Sequence, residues 1–250
     1  MEEWSDDDGG AALLSEPAVC AVRNGAVWFA KAFQLFEQRW VGWSVLCTVM
    51  WLLQWGIWAA AQVKPALLLA VPFVMLMFAA GVMSAASAQE FDEEPPSIGH
   101  LFTVFNTDNY INALLLYILM LIGGLGIFYY LNIVFLGGNW LQLQMAAAFF
   151  AVCLSFLFFT PALVFLQGEG VMTAVLLSLK TAWRNIFPML LMLGLQWAMM
   201  VFAGYGLLPF LTQITNTVYM GMVLLAVLTL GQLFMMLGCY AAYRDIWFED

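Results

Sequence analysis

The chain has 250 residues, 64% of them apolar and 9% charged, with a mean hydropathy of +0.91. Soluble domains carry about 25% charge, so an ordinary cytosolic protein is excluded and lipid is the expected solvent for most of the chain. Seven cations face sixteen acids, for a net charge of -9, and without a basic cluster to neutralise a phosphate backbone, nucleic acid is excluded as a partner.

The opening MEEWSDDDGG is acidic where a cleaved signal peptide is basic. Residues 1–24 mix acids, Gly-Gly and small residues without period, the composition of a disordered acidic tail in which Asp6, Asp7 and Asp8 read as solvating. Residues 25–250 then form the transmembrane domain. Six blocks, at about 41–62, 66–88, 110–131, 145–166, 188–211 and 217–240, are apolar over the ~20 residues that a helix needs to span hydrocarbon. Lys64-Pro65 splits the first two into a hairpin, and Pro72, Pro161, Pro188 and Pro209 should begin or kink spans. With a cytoplasmic N-terminus, Arg23, Lys31, Arg39, Lys180, Arg184 and Arg244 all lie inside and only Lys64 outside, a positive-inside bias that also places both termini in the cytoplasm.

Three stretches ahead of the odd-numbered spans look alike on a helical wheel. Phe29, Phe33, Phe36 and Trp40, with Trp28 beside them, make an apolar face opposite Lys31, Gln34 and Gln38. A shift of 69 residues gives Ile98, Phe102 and Phe105 opposite His100, Thr103 and Thr107; a shift of 147 gives Leu176, Trp183 and Phe187 opposite Ser178, Thr181 and Asn185. The chain thus reads as an interfacial helix followed by two spans, three times over in parallel, reinforced by Leu53-Gln54-Trp55 recurring as Leu195-Gln196-Trp197. The aromatics, together with Arg244 in the closing Tyr240–Phe248 run, are the expected interfacial anchors. The fold class is all-α and polytopic: six transmembrane helices with three interfacial ones. Ala80, Ser84 and Ala88 on the second span, and Gly123, Gly124 and Gly126 on the third, read as close helix contacts.

No Asp, Glu, Lys, Arg or His interrupts the six blocks, which argues against a proton-coupled pump, a voltage sensor or a buried acid-base enzyme. Gln54, Gln196 and Gln232, with Asn112, Ser155, Thr160 and Thr229, are polar groups suited to interhelical hydrogen bonds. His100 stands without converging ligands, Cys20, Cys47, Cys153 and Cys239 lack metal spacing, and the sixteen methionines are scattered. Familiar enzyme motifs are missing. No catalytic, metal or cofactor-binding residue is therefore expected, and no cofactor.

Three motifs, Gly25-x-x-Trp28-Phe29-x-x-x-Phe33-x-Leu35-Phe36, Gly99-His100-Leu101-Phe102-x-x-Phe105 and Tyr243-Arg244-Asp245-Ile246, give residues 24–248 a likeness. The chain resembles the BPSS-type six-span inner-membrane proteins of bacteria, a resemblance that implies a six-helix membrane fold and brings no activity with it. The expected function is non-enzymatic: a scaffold or accessory subunit of the bacterial inner membrane that organises lipid or docks a membrane-protein partner. A transporter or channel for lipid or a small apolar molecule is the alternative, and the oligomeric state stays open.

Overall fold

The computed structural model describes residues 16–106, 111–119, 158–211 and 216–248, together with Leu14, Leu121 and Gln213. The described regular elements are all helical. In chain order they are α1 (Asn24–Gln38), α2 (Trp40–Ala61), α3 (Val71–Phe91), α4 (Thr160–Phe165), α5 (Val171–Arg184), α6 (Ile186–Leu211) and α7 (Thr217–Trp247). Short 3₁₀ segments, Pro65–Ala70 and Ile98–Phe102, and one helical turn, Thr103–Asn106, complete them. Among the described residues four helices, α2, α3, α6 and α7, are long and apolar enough to cross a membrane. The expected third and fourth spans lie mostly outside the described residues, as do Cys153, Ser155 and the glycines at 123, 124 and 126; residues 111–119 and α4 are the described remnants of those spans.

Local chemistry sets the boundaries. Pro72 sits in the first turn of α3, the one place where its missing N–H and its ring cost nothing; the chain ahead of it is 3₁₀, so the second span begins later than its hydropathy suggests. Pro161 and Pro188 likewise fall in first turns, and Pro209 lies inside α6. Single residues out of helical conformation, Arg39 (φ -135°, ψ 42°) and Asn185 (φ -117°, ψ 28°), separate α1 from α2 and α5 from α6. Each break joins a short amphipathic helix to a long apolar one. Beyond α3 and α4 the chain reverses through a left-handed residue, Glu93 (φ 55°) or Gly168 (φ 71°), letting the next N–H reach back to Ala88 or Leu163. Ser97 and His100 then form a capping box that opens the following 3₁₀ turn.

Of these four helices α3 is the most enclosed, with 50% of its most apolar stretch buried inside the protein, against 39% for α7, 22% for α6 and 17% for α2. Helix α1 packs chiefly against α7 and α6. Its buried stripe is Gly25, Trp28, Ala32 and Leu35, one position round from the aromatic face read from the sequence. Small residues on the buried stripe let backbones approach: a Cβ at Gly25 would run into the Pro188 carbonyl. Phe29 and Phe36 are consequently half-buried and Phe33 is more open, and both Phe33 and Phe36 pack on Phe234 of α7 with ring centroids 4.5 and 5.1 Å away.

Helix α5 shows the clearest departure from soluble-protein logic. Ser178, Thr181 and Asn185, expected to face water, are fully buried, whereas Met172, Leu176, Trp183 and Phe187 are exposed by 72, 59, 72 and 68%. A helix that turns its small and polar side chains inward and its large apolar ones outward is placed for a lipid surround, because in water that exposure is unfavourable by ~25 cal/mol per Å². The outer faces of α2 and α6, with Trp40, Val41, Trp58, Trp197, Phe202 and Tyr205 exposed, follow the same rule.

Candidate functional site

Polar side chains collect in two places. The first lies within the apolar spans, where Gln54 Nε2 on α2 donates to Gln232 Oε1 on α7 at 2.9 Å and Gln196 Nε2 on α6 donates to the Gly231 carbonyl at 2.8 Å. Positions 54, 196 and 232, far apart in sequence, thus meet around one turn of α7. Gln54 and Gln196 are buried and Gln232 half-buried, so the hydrogen bonds offset the cost of desolvating primary amides.

The second is the end of the bundle where α2 and α6 begin and α3 and α7 finish. Glu90, in the last turn of α3, is its hub. Oε1 accepts from Lys31 Nζ of α1 at 3.0 Å, and Oε2 accepts from the Tyr240 hydroxyl at 2.7 Å and lies 3.4 Å from Arg244 Nε. The Arg244 guanidinium sits between the rings of Phe91 and Phe248, 4.4 and 4.3 Å from their centroids, with its side chain 12% exposed. Its Nε and Nη1 make no hydrogen bond, so Coulomb attraction and ring faces hold it. One residue on, Asp245 Oδ2 accepts from Asn24 Nδ2 and Trp28 Nε1, both at 2.7 Å. Lys31 and Arg244 thus balance Glu90 and Asp245. Both carboxylates thus act as ties between helices.

Beside the hub lies a cap on the end of α1. The break at Arg39 leaves the Leu35 carbonyl without its helical partner, and Trp43 Nε1 and Gln89 Nε2 each donate to it at 3.0 Å. Trp43 Nε1 also donates to Gln89 Oε1 at 2.9 Å.

The outermost layer is a strap formed by the chain before α1. The Leu14 and Ala18 N–H groups donate to the Trp247 and Ile246 carbonyls at 2.9 Å, satisfying the end of α7. Asn185, wholly buried at the α5–α6 break, accepts from Cys20 N–H at 2.8 Å and donates to the Ala18 carbonyl at 2.9 Å and the Thr181 carbonyl at 3.2 Å. Further out, the Glu16 carboxylate takes Lys180 Nζ at 3.0 Å and Arg184 Nη1 at 3.1 Å. Those two hydrogen bonds, and then the two positive charges, hold Glu16 below the ordinary carboxylate range. Burial, and then the neighbouring Asp245, push the Cys20 thiol up to about 12. Residues 16–20, grouped by composition with a disordered tail, are thus fastened to the helices.

The expected anchors separate under this geometry. Trp40, Phe102, Phe105, Trp183 and Phe187 are exposed, Phe33 marginally so, and Phe29 and Phe36 half-buried. Trp28 is 1% exposed and tied to Asp245, and so belongs to the core. Arg244 pairs with Glu90 and its side chain is 12% exposed, because α7 runs on to Trp247 and its last two turns are enclosed. Glu90 and Asn185 went unread as site residues. Glu90 opens the stretch Glu90-Phe91-Asp92-Glu93-Glu94, whose composition is that of a solvated loop, and Asn185 belongs to the polar side of the helical wheel opposite Leu176, Trp183 and Phe187. Among the described residues no three His, Cys, Asp or Glu side chains converge as for a metal. No family model, no curated protein and no solved structure matches the chain.

Proposed function

We propose that the chain is a non-catalytic, multi-pass protein of the bacterial inner membrane, with six spans and both termini cytoplasmic, that serves as a scaffold or accessory subunit organising lipid or a partner membrane complex. One observation carries the reading: the three glutamines described within the spans, Gln54, Gln196 and Gln232, are bonded inside the protein, while the outward faces of α2 and α6 are apolar. A solute path needs polar groups free to exchange partners with its cargo; Gln54, Gln196 and Gln232 are already paired.

The orientation is supported by the charged end, which gathers Lys31, Arg39, Lys180, Arg184 and Arg244 by their contacts, with Lys64 at the far end of α2. The triplicated unit is supported by the matching one-residue breaks at Arg39 and Asn185 and the matching reversals at Glu93 and Gly168. The decisive experiment is isolation from membranes in a lipid-retaining polymer. A stoichiometric membrane-protein partner or a retained lipid set is expected; solute or lipid flux across liposomes carrying the purified chain would overturn the scaffold reading in favour of a transporter.

A further inference from the structure

Lys180 and Arg184 stand on successive turns of α5 and converge on one carboxylate, that of Glu16. At about 100° per residue, they fall between the exposed row Met172, Leu176 and Trp183 and the buried row Ala174, Ser178 and Thr181. Cations beside an outward Trp, on a helix whose apolar row faces outward, lie at the depth of lipid headgroups. The occupant of this two-cation clamp differs from the groups holding the hub. Glu16 is 62% exposed in its side chain, against 23% for Glu90, and Lys180 is 47% exposed. Water and salt reach this pair, so Glu16 can be exchanged for another anion. The strap need not unfold for this: the Ala18 and Cys20 backbone is held by Asn185 and Ile246, Arg184 Nη1 can keep its second bond, to the Pro17 carbonyl at 3.2 Å, and the Glu16 side chain swings away.

We propose that Lys180 and Arg184 bind the phosphate of an anionic lipid headgroup, with Glu16 as the built-in competitor. The proposal rests on the membrane reading above and adds to it the chemical class of lipid and the residues that select it. The ligand offers what the clamp is built for: a monoanionic phosphodiester takes a guanidinium and an ammonium together, in phosphatidylglycerol no headgroup ammonium competes with them as choline does in phosphatidylcholine, and the exposed row Met172, Leu176 and Trp183 offers acyl chains an apolar surface.

The test titrates the full chain, purified in a neutral detergent, with phosphatidylglycerol or phosphatidylcholine and counts retained lipid by native mass spectrometry. Phosphatidylglycerol should be preferred. The variant E16Q should raise apparent affinity for it about three- to ten-fold, the double variant K180Q/R184Q should abolish the preference, and K64Q should leave it unchanged. Equal retention of the two lipids, a preference that survives K180Q/R184Q, or no change in E16Q overturns the proposal. So does displacement of phosphatidylglycerol by equimolar inorganic phosphate, which would make the clamp a free-anion site. Release of the chain from membranes by alkaline carbonate would instead overturn the membrane reading; a chain that stays in the pellet but shows no lipid preference loses the clamp alone.

Discussion

Asn185 is the residue on which three chain segments depend. Its side chain joins the strap to the α5–α6 break from a wholly buried position. Asn185→Ala strands the Cys20 N–H and the Ala18 carbonyl, and a buried unsatisfied group costs about 1–3 kcal/mol; hydrogen exchange at Ala18 and Cys20 should accelerate while the cores of α3 and α7 stay protected. Glu90→Gln removes the counter-charge of Lys31 and Arg244. With Glu90 23% and Arg244 12% exposed, the expected loss lies between the ~1 kcal/mol of a surface pair and the ~3–5 kcal/mol of a fully buried one, read as a lower unfolding temperature in detergent. Glu16 supplies a pH dependence of definite sign. Its folded-state pKa is depressed, so its contribution is present above the unfolded carboxylate value and is lost as pH falls through the folded one; the unfolding temperature in detergent should fall on acidification through that range, and the part of the fall due to this group should vanish in E16Q. Neither Glu90 nor Asn185 was legible as a tie, because their partners lie 59 and 165 residues away.

Helices here are positioned by close backbone approach and by which face each turns inward. A Cβ at Gly81 of α3 would stand 2.6 Å from Leu101 Cα and 2.8 Å from the His100 carbonyl. Backbone cannot yield as a flexible side chain does, so Gly81→Ala should destabilise by about 1–3 kcal/mol, measured by thermal unfolding in detergent, whereas Gly56→Ala on α2, with open space around it, should be neutral or slightly stabilising. Helical periodicity correctly foretold that α1 and α5 are amphipathic. It could not say which face is inside, since that inference assumes water as the outer solvent; in α5 Ser178, Thr181 and Asn185 take the inner side and Trp183 the outer. A cysteine replacing Trp183 should accordingly carry a spin label relaxed by oxygen dissolved in lipid rather than by a water-soluble nickel chelate, and the opposite result would reverse the assignment.

At the scale of the whole molecule, charge is segregated: one end carries the Glu90 hub, the Asp245 tie and the strap, while the spans between the two ends rely on apolar packing and a few amide bonds. Reporter fusions at the two termini and at Lys64 test the polarity. Cytoplasmic signals at both termini and a periplasmic one at Lys64 are expected; a periplasmic C-terminus would require an odd number of spans. Composition and hydropathy alone determine that the chain is helical and apolar enough for a membrane, where α2, α6 and α7 begin, and that the cations are unevenly distributed, because these properties depend on neighbouring residues and on bulk transfer energies. Tertiary structure alone decided that Trp28 and Arg244 belong to the interior, that Glu90 is a hub and that residues 16–20 form a strap. Those outcomes depend on which helix ends meet in space, and a pattern read along one helix contains nothing about its neighbours.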